Sequence, residues 1–181
     1  ATRDAGKLAG LDVLRIVNEP TAAALATPTL QGGQGGAGAV AVYDLGGGTF
    51  DISILQIQDG IYEVLATNGD TFLGGDDFDR AIVEFFLEQT GRSREDLTTD
   101  PNFGQSIRLL AERAKKEISQ VEVFEERVAH LGGVPHVYRL TREEFERLIE
   151  PFIQRTLDCC RKVLRDAKLS PQQIGQVVMV G

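Results

Sequence analysis

The stretch Val40-Ala41-Val42-Tyr43-Asp44-Leu45-Gly46-Gly47-Gly48-Thr49-Phe50-Asp51-Ile52-Ser53-Ile54 constrains this chain more than any other part of it. An apolar run ends on Asp44, three glycines and Thr49 follow, and Asp51 enters an alternating run in which Phe50, Ile52 and Ile54 oppose Asp51 and Ser53. That alternation predicts a strand half-buried on one face, so the glycines form the turn of a hairpin. Glycine there lets the backbone reach positive φ and lets its N–H groups approach an anion with no side chain in the way. Two aspartates beside such a turn suit a divalent ion, which prefers hard oxygen ligands and often keeps its waters. The plain alternative is a glycine-rich hairpin with no ligand. The combination of carboxylate, Gly-Gly-Gly-Thr and second carboxylate speaks against it.

A chain of 181 residues holds one sizeable domain or two small ones. Its 42% hydrophobic and 25% charged residues are those of an ordinary globular protein. A net charge of −8 argues against a nucleic-acid surface, which needs a basic stripe. Cys159 and Cys160 are adjacent on an expected helix, where neighbours point about 100° apart and a disulfide would be strained. They read as two small helix residues in a reducing, cytoplasmic setting. No apolar run approaches a membrane span, and there is no signal peptide. The chain opens without Met on what reads as a helix in progress and stops at Gly181 after strand-like Val177–Val180, so a piece of a longer protein is expected.

Along the chain, a helix over Ala1–Ala9 ends at Gly10, and Val13–Val17 is expected to be a short strand. Asn18-Glu19-Pro20-Thr21 leads into Ala22–Ala26, with Asn at an N-cap and Pro in the first turn predicting a helix start. Residues Thr27 to Gly38 read as a loop. Beyond the hairpin, Tyr62–Thr67 supplies a third strand, reached through a turn at Asp59-Gly60. A second glycine turn, Gly74-Gly75, feeds a helix whose Phe78, Ile82, Phe85 and Phe86 follow helical spacing up to Gly91. Gly-Gly before a helix N-terminus is a second possible anion site.

A helix from about Gly104 to Gln120 places Ile107, Leu110, Ala114 and Ile118 on one face, with Glu112, Lys115, Lys116 and Ser119 on another. On spacing alone, the polar face is a solvated one carrying ion pairs. Val121–Phe124 and Val134–Leu140, joined across Gly132-Gly133, predict an antiparallel hairpin. Thr141-Arg142-Glu143-Glu144 is a capping box ahead of Phe145, Leu148, Ile149 and Phe152. Pro151 should bend or restart that helix, which continues to about Lys168. Ser170-Pro171 starts a short helix before the last strand. Alternating β and α units imply an α/β architecture.

Four motifs then stand together in order. They are Asn18-Glu19-Pro20-Thr21-Ala22-Ala23-Ala24, Asp44–Asp51, Gly69-Asp70-Thr71-Phe72-Leu73-Gly74-Gly75-Asp76-Asp77-Phe78-Asp79, and Glu112-Arg113-Ala114-Lys115-Lys116. With these the chain resembles the nucleotide-binding domain of the heat-shock protein 70 chaperones, of the DnaK and HscA type, over essentially its whole length. The resemblance implies an actin-like ATPase fold (ribonuclease H-like): mainly lobe II, with an inserted α+β upper subdomain. Residues 1–38 would be the end of lobe I and the crossover. Residues 39–74 and 150–181 would be the lobe II base, and 75–149 the upper subdomain.

It further implies that Gly46, Gly47, Gly48 and Thr49 hold the β- and γ-phosphates of ATP or ADP, and that Gly75 contacts phosphate. Asp44 and Asp51 would help seat Mg²⁺ and K⁺, mostly through water. Glu19 would lie near the metal and the attacking water and relay the nucleotide state. Glu112, Lys115, Lys116 and Ser119 would clamp ribose and adenine, which reverses the solvated reading of that face. Partners implied are client polypeptides, a J-domain co-chaperone and a nucleotide exchange factor, with neither nucleic acid nor membrane.

Three departures from the family pattern stand out. Ala26 is followed by Thr27-Pro28 where the family has Ala-Tyr-Gly. Lys116 stands where many members carry Arg or an aliphatic residue, so a planar guanidinium stack is lost. The sequence also contains no first phosphate loop of the Asp-Leu-Gly-Thr-Thr type, no lobe I lysine, no Gly-Ser-Thr-Arg segment and no peptide-binding domain. The other readings are an actin-like filament ATPase, a sugar or acetate kinase of the same superfamily, an iron–sulfur-assembly specialist of the same family, or a scaffold lobe without turnover.

Overall fold

The computed structural model describes residues 1–27, 38–58, 60–129 and 135–181. Most of the Thr27–Gly38 loop, including Pro28, lies outside them, as do Asp59, the Gly132-Gly133 turn and Val134. The described residues form a mixed α/β structure that divides into two compact units.

The first unit comprises Ala1–Asp44, Asp51–Asn68 and Cys160–Gly181. Its sheet has the order β3-β2-β1-β6, built from β1 (Gly38–Leu45), β2 (Phe50–Gln58), β3 (Ile61–Asp70) and β6 (Ile174–Val180). The four residues between β1 and β2 permit only an antiparallel pairing. β1 and β6 run parallel, with Val42 opposite Val178 and Asp44 opposite Val180.

β1 is apolar because it is central: Ala39, Val40, Ala41 and Val42 are all buried, as expected where both faces are covered. The same reason corrects the expectation for β2. Ser53 is buried along with Ile52, Ile54 and Leu55, so this interior strand is not half-exposed there. β3, at the sheet edge, keeps the strict alternation. Helix α2 (Glu19–Ala26) packs through Ala24 against Val40, Val42, Leu55 and Val178.

Helix α1 (Thr2–Leu8) ends at Gly10, whose φ is +78°. No strand forms at Val13–Val17, and Leu14, Ile16 and Val17 are exposed. Branched residues favour a strand only where a neighbour accepts the ladder, and the described sheets offer none to this segment. Asn18 stands at the N-cap of α2 without a side-chain bond to the helix, so Pro20 carries the start.

The second unit comprises Leu45–Phe50 and Gly69–Cys159. Helix α3 (Gly75–Thr90) is followed by a short α4 (Asp96–Thr99), α5 (Pro101–Glu117) and the antiparallel pair β4 (Val123–Val128) and β5 (His136–Thr141). Helix α6 (Arg142–Asp166) gives its first part to this unit and its last turns to the other. The core joins Ile82, Phe86, Phe103, Ile107, Leu110, Phe124, Tyr138 and Leu140. Each such side chain contributes about 1.5–3 kcal/mol by leaving water.

Three boundaries differ from the sequence reading. Helix α5 begins before Gly104, because Asp100 caps it through Oδ1 to the Phe103 N–H (3.1 Å) and Pro101 fills its first position. The β4–β5 pair lies about two residues later than the apolar runs suggest. Helix α6 runs through Pro151 without restarting. The capping box does form: the Thr141 N–H donates to Glu144 Oε2 (2.8 Å), and the Glu144 N–H donates to Thr141 Oγ1 (3.1 Å). A short 3₁₀ turn, Pro171–Gln173, precedes β6.

Candidate functional site

In the second unit the glycine turn is built almost wholly from backbone. The Gly46 N–H donates to the Thr49 carbonyl at 2.9 Å and closes a tight loop, leaving Gly47, Gly48 and Thr49 exposed. The N-terminus of α3 then grips this loop. The Gly75 N–H donates to the Gly46 carbonyl (2.9 Å) and the Asp76 N–H to the Gly47 carbonyl (2.8 Å).

Gly74 is the residue that permits the approach. A Cβ placed there would run into the Gly47 carbonyl and lie 2.6 Å from the Gly48 nitrogen, which no side chain tolerates. Asp77 completes the helix start: its Oδ2 accepts from the Gly74 N–H (2.9 Å), while its Oδ1 holds Arg80. The helix-terminal donors that the Gly-Gly pattern offered to an anion are therefore already partly used, and the open amides are those of the exposed turn.

Lys115, on α5, reaches the same place. Its Nζ donates to the Gly75 carbonyl (3.2 Å) and to Asp79 Oδ2 (2.7 Å). The structure thus brings Gly46, Gly47, Gly75 and Lys115 together. Glu112 and Lys116 instead pair with each other at 2.7 Å, one turn apart on an exposed face. Their hydrogen bond lowers the Glu112 carboxyl below its ordinary pKa and raises that of Lys116. Ser119 lies beyond the last turn of α5, with its hydroxyl donating to the Lys116 carbonyl (2.6 Å).

In the first unit, Glu19, Asp44 and Asp51 line one cavity of about 350 Å³, together with Asn18, Pro20, Val42, Ser53, Val64 and Thr67. β1 ends at Asp44's side of the turn, β2 begins beside Asp51, and the first turn of α2 presents Glu19. No group of three or more His, Cys, Asp or Glu side chains among the described residues forms a direct metal cluster. Three carboxylates and two hydroxyls around a roomy cavity instead fit Mg²⁺ retaining its own water.

Reasoning from sequence missed Ser53, Thr67 and Asp79 as site residues, and read Gly74 only as part of a possible anion turn, not as the point of close backbone approach. Ser53 was legible as the polar position in an otherwise apolar run. Thr67 and Asp79 carry no local signal, because their neighbours come from distant segments. Among the described residues no helix is long and apolar enough to cross a membrane.

The Gly46–Thr49 turn is thus clamped by a helix N-terminus through backbone hydrogen bonds. The family model described as Hsp70 protein matches residues 1–181, and the chain belongs to the Hsp70 family. It is 51% identical over 181 residues to a chaperone protein HscA homolog of Azotobacter vinelandii, covering 100% of this chain and 28% of that protein. It is equally similar, at 51%, to the HscA homolog of A. vinelandii strain DJ / ATCC BAA-1303, of which it covers 27%. The chain thus spans less than a third of the length of the curated relatives it matches. Members of the Hsp70 family are ATPases that bind ATP or ADP with Mg²⁺.

Proposed function

We propose that this chain is the larger part of one side of a nucleotide site in a chaperone ATPase, which couples ATP hydrolysis to binding and release of client polypeptides. The observation that carries this reading is the clamp of the α3 N-terminus on the Gly46–Thr49 turn. It leaves three exposed residues whose amides and hydroxyl can meet the β- and γ-phosphates, with Lys115 beside them. In this reading residues 39–74 and 150–181 are the base of lobe II of an actin-like fold, and 75–149 its upper subdomain. Residues 1–38 are the end of lobe I and the crossover.

Phosphoryl transfer to water asks little covalent chemistry of a protein, so positioned donors, a metal and an oriented water carry it. Gly47, Gly48 and Thr49 hold phosphate oxygens, while Gly46, whose N–H already donates to the Thr49 carbonyl, closes the turn and Gly75 supports it. Asp44 and Asp51 hold the hydrated Mg²⁺ and K⁺, which neutralise charge on the phosphates. Glu19 orients the attacking water. Glu112, Lys115, Lys116 and Ser119 receive ribose and adenine. A J-domain co-chaperone and an exchange factor act on the whole protein, in the cytoplasm. Membership of the Hsp70 family goes against a filament-forming role. General folding and iron–sulfur assembly are separated by which client stimulates turnover.

The test is calorimetry with Mg·ATP. The full-length protein is expected to bind at micromolar or tighter affinity and to hydrolyse ATP. The 181-residue stretch alone is expected to bind far more weakly, because its sequence holds only one of the two phosphate loops. A full-length protein that binds no Mg·ATP overturns the reading. Micromolar binding by the isolated stretch overturns the claim that it holds one side only.

A further inference from the structure

One side-chain arrangement in the second unit is poorly explained as a structural brace. Asp79 on α3 puts Oδ2 at 2.7 Å from Lys115 Nζ on α5, and the two side chains are only 21% and 22% exposed. The other oxygen, Oδ1, is buried and has no hydrogen-bond partner among the described residues. A largely buried ion pair loses much of its Coulomb gain to desolvation, and an unpaired buried carboxylate oxygen costs more. The two helices are already joined by Ile82, Phe86, Ile107 and Leu110. For stability alone, an apolar pair would serve as well.

What the pair does achieve is placement. The Lys115 ammonium has three N–H donors. One goes to Asp79 and one to the Gly75 carbonyl, in the same residue whose amide holds the Gly46 carbonyl. The third has no partner among the described residues. The ammonium also sits 3.2 Å from where a Gly75 side chain would begin, so it rests directly on the clamp.

We propose that Asp79 is a positioning residue for nucleotide binding: it holds the Lys115 ammonium in one rotamer on the Gly46–Gly75 clamp, with one N–H left for the ligand. This rests on the reading that Lys115 meets the nucleotide. A free lysine would have to be ordered at the moment of binding, and Asp79 removes that cost beforehand. The charge effect has the opposite sign. Neutralising Asp79 leaves the cation unopposed, which by electrostatics alone would tighten binding of an anionic ligand. Positioning and simple charge are therefore distinguishable by direction.

The experiment is calorimetric titration of the full-length protein with Mg·ADP, comparing wild type, D79N, D79E, K115M and D79N/K115M, with unfolding midpoints measured alongside. D79N is expected to weaken Mg·ADP about tenfold, D79E to recover most of that, and the double variant to bind no more weakly than K115M. Rescue by glutamate and non-additivity with K115M are not expected of a merely structural residue. Wild-type or tighter affinity in D79N, with K115M weakened, overturns the proposal while leaving the nucleotide site intact. Additive losses in the double variant also overturn it. Wild-type affinity in K115M overturns the reading of Lys115 on which the proposal rests. If D79N does not fold, D79S takes its place in the same cycle, with the same outcomes.

Discussion

Two candidate regions, one in each unit, are made in different ways. Around Gly46–Thr49 the second unit is held by its own backbone: two amides of α3 on two loop carbonyls, a glycine that admits no side chain, and a lysine laid on top. Around Glu19, Asp44 and Asp51 the first unit offers carboxylates that make no hydrogen bond or ion pair with one another or with other described residues, lining an open cavity. The first region is finished before any ligand arrives. The second is a set of acceptors that, in the proposed reading, a hydrated cation would complete. Phosphate recognition can be built from backbone geometry alone, whereas water and metal handling needs side chains kept free of structural duties.

That contrast makes the largest prediction. Gly74→Ala should break the clamp, costing stability by about 1–3 kcal/mol and removing measurable Mg·ADP binding in the full-length protein. Unfolding midpoints and calorimetry on the same samples check both; a variant with normal affinity would show that the clamp is incidental. In the other region, Asp44→Ala and Glu19→Ala should each slow single-turnover ATP hydrolysis by about a hundredfold without lowering the unfolding midpoint. Loss of stability in either would mean that these carboxylates do structural work, and the contrast would fail.

Smaller effects sharpen it. The cap of α6 is structural, and its hydrogen bonds from Thr141 hold the Glu144 carboxyl below its ordinary pKa. A carboxylate with a depressed folded pKa stabilises above its unfolded value and loses that contribution as pH falls through the folded one. Thr141→Ala should therefore cost about 1 kcal/mol at neutral pH, with the difference from wild type shrinking in acid below about pH 4. Chemical denaturation across pH measures it, and no effect on nucleotide affinity is expected. The smallest change is Glu112→Gln: the exposed pair with Lys116 is screened by water, so the unfolding midpoint should not move, while Mg·ADP affinity falls a few-fold if the clamp reading holds.

Much of this was readable from the sequence because the signals are local. The apolar run before Asp44, the Thr141–Glu144 box, the Gly91 helix end and the buried face Ile107, Leu110, Ala114 and Ile118 each depend on neighbours within one or two turns. Asp100-Pro101 was an equally plain helix start, hidden behind the more obvious periodicity after Gly104. The failures have a different origin. Val13–Val17 has strand residues but no described partner strand, and the burial of Ser53 depends on what covers the second face of the sheet. Asp79 and Lys115 are separated by 36 positions, and nothing near either residue announces the other.

The central claim is that the Gly46–Thr49 turn is a preformed phosphate cradle in which the Gly47, Gly48 and Thr49 amides remain free for a ligand. Amide hydrogen exchange on the full-length protein, with and without Mg·ADP, addresses it residue by residue. The Gly75 and Asp76 amides should be protected in both states, since loop carbonyls already hold them. Those of Gly47, Gly48 and Thr49 should exchange fast without nucleotide and slow by about tenfold or more with it. Unchanged exchange at these three residues under saturating Mg·ADP would contradict the account.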